Sequence, residues 1–419
     1  MNAVAGHVAP QSHASVGAEI VFAQKKTVSI VAHDLAGGGM TRAYALAQAL
    51  VHVGHDVEII GIKLNSGPIY PVPPKIINVI EVSGFCLIHR IWKLLARLNG
   101  DIIYAIKPRP SSYGVALLKR YITGCPVVLD IDDWEPGERE YYRKERTSSD
   151  SPGNLIIDKL KIIKAHLRGN LNFRRWLNPN DGHYIRWLER TINWADTITV
   201  NTRFLHKQYG GLYIPHCKCI SKYDPSRYNS TECRIRYGLA DYIVLMFPGT
   251  ARPHKGLEDL LIAIEALQNP SVRLVLVGGR SSNESYVSEL IKRWGKWIVR
   301  LPAFSAEAMP EIVAAAHVVV IPQRDTSVAR AQFPMKLTDA MAMAKPILTT
   351  TVGDIPEILD GTGYLVKPSR PEALLEMIAY LLSNSYSTEI RALKARERFI
   401  SNYSLGVVGP RLSAAIESL

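Results

Sequence analysis

The chain has 419 residues, 47% of them hydrophobic and 21% charged, with 50 Lys and Arg against 38 Asp and Glu and a net charge of +12. At ~100–200 residues per domain this length predicts two domains. No run of ~18 uncharged apolar residues is present, so no bilayer-spanning helix is expected. Cys86, Cys125, Cys217, Cys219 and Cys233 are few and odd in number, which argues against a disulfide framework and for a reducing, cytoplasmic compartment. The run His216-Cys217-Lys218-Cys219 lacks the Cys-x-x-Cys spacing of zinc sites and has no second pair nearby, so no metal is expected. The basic balance admits a polyanionic partner (nucleic acid, anionic lipid or a phosphate-bearing substrate) or a solvated surface with no specific partner.

Residues 1–26 have no basic stretch followed by an apolar core, so they read as a disordered leader and not as a secretion signal. Val28, Ile30 and Val31 then form a short buried strand, and Gly37, Gly38 and Gly39 a sharp turn. Ala43, Leu46, Ala47, Leu50 and Val53 recur at helical spacing up to Gly54, and the strand at 57–60 completes a βαβ unit. Further strands are expected at 101–106, 126–131 and 196–200. Residues 216–232 read as a linker. Beyond it come strands at 242–250, 272–279, 297–303 and 317–323, with helices between them. The alternation predicts an α/β protein of two doubly wound, Rossmann-like domains, 27–215 and 233–400, facing a cleft. Residues 401–419 are expected to form a C-terminal helix crossing back to the first domain. In such sheets ligands bind beyond the carboxyl ends of the strands.

One segment, 135–183, breaks this rhythm. Ile156, Ile157, Leu160, Ile163 and Leu167 lie near helical spacing, interleaved with Lys159, Lys161, Lys164 and Arg168 and followed by Phe173 and Trp176. Residues 156–187 therefore either lie on an anionic membrane, at its inner face, or pack their apolar stripe on the domain.

FPGTARPHKGLEDLL (247–261) follows a strand and opens a helix. Gly249 and Pro253 shape a turn, and Arg252 and Lys255 fall at the strand's carboxyl end beside a helix N-terminus. That placement suits a diphosphate, although lysine and arginine also occupy ordinary exposed loops. QFPMKLTDAMAMAKP (332–346) repeats the logic: Pro334 fits the first helical turn, and Lys336 and Asp339 share a face. They read either as ligand groups, a cation for phosphate and a carboxylate for sugar hydroxyls, or as an exposed ion pair above an Ala/Met core helix. VVLDIDDWE (127–135) ends a strand with Asp130, Asp132 and Asp133, which either line the cleft toward an acceptor or cap a loop. Lys107 and Arg109 end another strand and could meet an acidic acceptor.

The ordered set GTARPHKG, LVLVGG and FPMKLTDAMAMAKPILTTTVGDIPEIL resembles the donor-binding half of GT-B glycosyltransferases of family 4, which are retaining enzymes using nucleotide-activated sugars. GGGMTRAYALAQALVHVGHDVEI is similar to the first βαβ unit of their acceptor-side domain. The resemblance implies a diphosphate-binding role for Lys255. The family arginine directly after the first glycine is replaced by Thr250, with Arg252 two residues on. Of the family's paired glutamates, one falls on Ala331 and the other on Asp339, implied to hold the ribose hydroxyls. Lys336 shares the leaving-group load. Gly249, Thr250, Gly278, Gly279 and Gln332 fall in the donor-binding segments, and Gly37, Gly38, Gly39, Arg42, Lys107 and Asp130 on the acceptor side, where Asp133 is a proton acceptor or hydrogen-bond partner. The implied co-substrate is a nucleoside-diphosphate sugar, with a glycan, lipid-linked or small-molecule acceptor and no further cofactor. Three other readings compete: a GT-B nucleotide-sugar epimerase, an inactive sugar-nucleotide-binding homologue motivated by Ala331, and a nucleic-acid-binding protein motivated by charge. The last lacks any helix-turn-helix, RNP or KH signature, and no nucleic acid is expected.

Overall fold

The computed structural model describes residues 25–36, 38–64, 67–71, 75–84, 87–149, 182–278 and 284–419. Residues 1–24 of the expected leader, Gly37, Gly279 and most of the basic segment 156–187 lie outside them.

In the first domain seven strands form one parallel sheet: β1 (Thr27–Ala32), β2 (Asp56–Gly61), β3 (Asn78–Glu81), β4 (Ile102–Ile106), β5 (Val127–Ile131), β6 (Thr197–Val200) and β7 (Leu212–Tyr213), in the order β3-β2-β1-β4-β5-β6-β7. Between them run α1 (Gly38–His52), α2 (Leu87–Arg97), α3 (Val115–Thr123), α4 (Glu135–Ser149), α5 (Gly182–Glu189) and α6 (Arg203–Tyr209). The central strands β1, β4 and β5 are largely apolar and buried because both faces of the sheet are covered there, whereas the edge strand β3 is half-exposed. Val28, Ile30, Tyr104 and Val128 face the α1 side, while Val31, Ile60, Ile103 and Leu129 face the side held by Leu94, Leu95, Val115 and Leu188 of α2, α3 and α5.

After α7 (Ser230–Arg236), the second domain has six parallel strands: β8 (Ile243–Pro248), β9 (Val272–Val277), β10 (Ile298–Leu301), β11 (Val318–Ile321), β12 (Ile347–Thr350) and β13 (Tyr364–Val366), in the order β10-β9-β8-β11-β12-β13. Its helices are α8 (Leu257–Leu267), α9 (Glu284–Trp294), α10 (Met309–Ala314), α11 (Ser327–Arg330), α12 (Met335–Ala342), α13 (Ile355–Leu359), α14 (Pro371–Ser383), α15 (Ser385–Tyr403) and α16 (Leu405–Glu417). In both sheets β1 or β8 is central and the strand order reverses beside it, so the crevice that binds ligands lies at the carboxyl ends of those strands. The chain ends on the first domain: Val408, Leu412 and Ile416 of α16 join the core under α1, and His55 Nε2 meets Ser413 Oγ at 2.7 Å. The segment 216–232 is not a bare connection, since Tyr223 is buried in the second domain's core.

Two expectations change. Gly38 and Gly39 lie in the first turn of α1 and not in a loop. A Cβ on Gly39 would stand 2.4 Å from the His33 ring, so a glycine there lets the helix start against the end of β1. Arg42 and Asp130, expected on the acceptor side, are fully buried and face each other. Arg42 Nε and Nη2 donate to the two carboxylate oxygens, both at 2.9 Å, and Nη2 also donates to the Ile214 carbonyl at 2.8 Å. Thr199 Oγ1 adds a bond to Asp130 Oδ1 at 2.7 Å. An ionic group this deep stays charged only with every lone pair and proton satisfied, and that requirement leaves nothing to offer a ligand. The pair ties α1, β5, β6 and the exit of β7 together. Arg42→Met should therefore cost about 3–5 kcal/mol in urea unfolding by stranding the Asp130 carboxylate; a loss under 1 kcal/mol would contradict this role.

Candidate active site

The second domain's side of the cleft is built around Lys255. β8 ends at Pro248, the chain turns through Gly249 to Arg252, and a single 3-10 turn, Pro253–Lys255, precedes α8. Gly256 closes that turn at φ 68°, and a Cβ on it would sit 1.9 Å from the Pro322 carbonyl oxygen. Only glycine lets the turn press so closely on the end of β11. The approach brings Lys255 Nζ to Gln323 Oε1 at 2.8 Å and to Gln332 Oε1 at 2.7 Å. Gln323 Nε2 is buried without a hydrogen-bond partner. Lys336, in the first turn of α12, lies against Gly249 with its ammonium 4.4 Å from the centre of the Phe247 ring.

These cations are crowded. Burial, then Lys336 and Arg252, push the Lys255 ammonium well below its usual range. Burial is also the main cause that lowers Lys336 to about 8; Asp339 opposes the shift and Arg252 adds to it. His254 sits in the same turn and falls to about 2 through burial and the neighbouring Lys255, Arg252 and Lys336, so its imidazole is neutral. A desolvated group of like charges is unfavourable until an anion enters it.

Arg252 faces away from that cluster. Its Nη1 donates across the cleft to Glu138 Oε1 at 3.2 Å and to Tyr142 Oη at 3.0 Å, both on α4. Asp339 does not pair with Lys336 as an exposed ion pair; it is buried and pairs with Lys218 at 2.8 Å. Thr250 and Gly278 lie at the carboxyl ends of β8 and β9, half-buried.

The opposite wall belongs to the first domain. Lys107, held at φ 67° just after β4, directs its ammonium to Asp133 at 2.5 Å, Glu135 at 3.4 Å and Asp132 at 3.5 Å. Arg109 pairs with Glu135 through two nitrogens. Burial alone would raise the Glu135 carboxyl, but Lys107 and Arg109 outweigh it and hold the group at about 2. Asp132 is raised to about 7 by burial, with Lys107 opposing and Asp133 and Asp130 adding to the rise. His33, against the same network, is lowered to about 3 by burial, Lys107 and Arg109. The structure thus brings Lys255, Lys336 and Gln332 together on one side, and Lys107 and Asp133 on the other. It adds His254, Gln323, Glu135, Glu138 and Tyr142, which the sequence reading did not assign. His254 stood inside the GTARPHKG motif and Gln323 at the end of the strand expected over 317–323; Glu138 and Tyr142 lay in a segment with no motif.

Residues 242–384 match the family model for glycosyl transferases group 1. This part of the chain is similar to the glycosyl transferases group 1 family. An uncharacterized glycosyltransferase of Methanocaldococcus jannaschii is 27% identical over 180 residues, covering 40% of this chain and 49% of that protein. An O-antigen chain mannosyltransferase of Escherichia coli is 26% identical over 180 residues, covering 41% and 45%. The chain therefore spans about half the length of the curated relatives it matches. Over both domains the fold is GT-B: the Anabaena protein HepE, solved with UDP and glucose, superposes with a TM-score of 0.65 at 18% identity over 94% of this chain and 99% of its own.

Within residues 242–384 the position of Ala331 is informative. Its side chain is 1% exposed and belongs to the apolar cluster of the first domain, with Val31, Ile131 and Leu205, while its carbonyl accepts from Thr202 Oγ1 at 3.4 Å. A carboxylate there would be buried in the domain interface. Ala331→Glu should lower stability by about 1–3 kcal/mol, measured by denaturant unfolding; an unchanged or higher midpoint would mean that the interface opens to accept the charge.

Proposed function

We propose that the chain is a retaining glycosyltransferase that moves a sugar from a nucleoside-diphosphate sugar to a hydroxyl acceptor. The observation that carries this reading is the placement of Lys255, bonded to Gln323 and Gln332, and Lys336, against Gly249 and the Phe247 ring, at the carboxyl ends of β8 and β11, where burial disfavours both charges and a bound anion would restore them. HepE, which shares the fold, is solved with UDP, and this supports a nucleoside diphosphate as that anion.

In this reading the anomeric C–O bond to the diphosphate breaks, and negative charge grows on the departing oxygen. Lys255 and Lys336 stabilise that charge from fixed positions, the electrostatic contribution that preorganised sites supply best. Arg252 joins them when an entering diphosphate draws its guanidinium from Glu138 and Tyr142. The acceptor hydroxyl attacks from the same face and its proton passes to the leaving phosphate oxygen, so no protein nucleophile is required. Asp133, oriented by Lys107, accepts a hydrogen bond from the acceptor. Asp339, fixed by Lys218, offers its remaining carboxylate edge to the ribose, and Gly249, Thr250, Gly278 and Gln332 border the donor. The acceptor class is a glycan, a lipid-linked intermediate or a small molecule. The E. coli relative named as an O-antigen chain mannosyltransferase supports a role in polysaccharide assembly.

Lys255→Ala and Lys336→Ala should each reduce transfer or donor hydrolysis by roughly 10²–10³-fold while the unfolding midpoint stays near wild type. Wild-type turnover in either variant would sink the diphosphate assignment, and UDP binding without turnover in the unmodified chain would leave a binding protein. The pH dependence is also set. With the free Lys336 ammonium at about 8, raising the pH through that value removes the cation that the diphosphate needs. UDP affinity by calorimetry should then fall by up to ~10-fold per pH unit above it for each lysine that must regain its proton, and Lys336→Met should reduce that slope to the part that Lys255 contributes.

A further inference from the structure

The outer layer of the first domain carries an apolar surface that the proposed reaction does not use. Three helices, α2, α3 and α5, cover the same sheet face, and α2 packs beside α3. Their buried residues account for that core, yet their outward residues are also apolar. Ile88 and Trp92 on α2 are 62% and 61% exposed, Tyr121 and Ile122 on α3 are 89% and 56%, and Trp187 on α5 is 55%. Trp194, 58% exposed, stands beside Trp187 with the rings perpendicular and 6.4 Å apart. Leu117, Leu118, Tyr121, Trp187, Leu188 and Trp194 line one open groove. Single exposed apolar residues need no explanation, but a groove lined by two Trp and a Tyr, with Ile88 and Trp92 exposed on the helix that packs beside α3, does.

The charge on these helices selects the occupant. Arg90, Lys93, Arg97, Lys119, Arg120 and Arg186 lie on these helices against one acid, Glu189, whose carboxylate already accepts from Tyr209 Oη at 2.8 Å; Arg120 is paired with Asp196, beside Trp194, which leaves five basic side chains in excess of that pair. Indole and phenol rings ringed by long basic side chains match the boundary of an anionic bilayer, where the rings enter the headgroup level and the cations meet lipid phosphates. Arg120 donates to the Trp194 carbonyl at 2.8 Å, which fixes the backbone that carries that indole. Among the described residues no helix is long and apolar enough to cross a membrane. We infer that the α2–α3–α5 face docks on an anionic membrane surface, lying on the bilayer without spanning it. This places the contact on folded helices of the first domain, beyond the 156–187 segment.

The test is sedimentation of the full chain with vesicles of phosphatidylcholine, alone or with phosphatidylglycerol. The unmodified protein should bind only the phosphatidylglycerol vesicles, more weakly as NaCl rises. Trp92→Ser with Trp187→Ser should weaken that binding at least tenfold, as should Lys93→Glu with Arg97→Glu, with UDP affinity and far-UV circular dichroism unchanged. Three results would overturn the inference: no binding at low salt, undiminished binding in both double variants (which would move the contact to residues 150–181), or a dimer that the tryptophan variant disrupts with no vesicle binding. UDP binding in the same samples reports on the transferase reading separately.

Discussion

The arrangement rests on one unfavourable interaction, the confinement of Lys255 and Lys336 in a single desolvated patch. Like charges brought out of water repel and lose hydration, so the fold must hold them there with packing from elsewhere. The apolar strands beneath, the glycine that admits the 253–255 turn against Pro322, and the aromatic face of Phe247 supply that hold. Stability given up at a site in this way is a general feature of functional surfaces. It also means that the site is organised before its ligand arrives, which reduces the reorganisation needed at the moment of reaction.

The two domains are coupled through a small number of directional contacts around the cleft. Arg252 reaches Glu138 and Tyr142, the Ala331 carbonyl accepts from Thr202, and the Arg203 amide donates to Asp354 at 2.6 Å. His216 meets Phe333 edge-to-face at 5.5 Å. The connecting segment takes part as well, since Lys218 holds Asp339 on the donor-side helix. A shift of one domain therefore changes the environment of groups on both walls. The return of α16 to α1 fixes the far end of the same hinge, so the chain crosses between domains twice.

The fold was legible because doubly wound domains write their strands as short apolar runs and their helices as 3.6-residue periods, both local signals. GTARPHKG and FPMKLTD were legible for a similar reason: each places its charge at the junction of a strand and a helix. What escaped was set by distance in sequence. Arg42 and Asp130 are 88 positions apart, so nothing local marks them as each other's partner. Lys336 and Asp339 look like an i,i+3 pair, but the helix buries Asp339, leaves Lys336 half-buried, and a distant lysine, Lys218, claims the aspartate. Glu138 and Tyr142 gain meaning only because α4 faces Arg252 across the cleft. β3, short and half-buried at the sheet edge, has too weak a pattern to stand out.

Charge is distributed unequally across the cleft, and this bears on how the proposed reaction would work with Ala331 at the seam between the walls. Cations gather at the ends of the second domain's strands, where a leaving diphosphate would sit. Carboxylates gather on the first domain: Asp132, Asp133, Glu135 and Glu138 surround Lys107 and Arg109. A carboxylate at 331 would lie in the apolar seam between the walls, where Val31 and Leu205 leave it no partner. The acidic groups that could meet a sugar hydroxyl are already paired, Asp132, Asp133 and Glu135 with Lys107 and Arg109 of their own wall and Glu138 with Arg252 across the cleft, so their burial is partly compensated. Recognition of the transferred sugar in the proposed reaction then falls to side chains that also face the acceptor. Donor and acceptor selectivity would be set by the same few groups on the first domain.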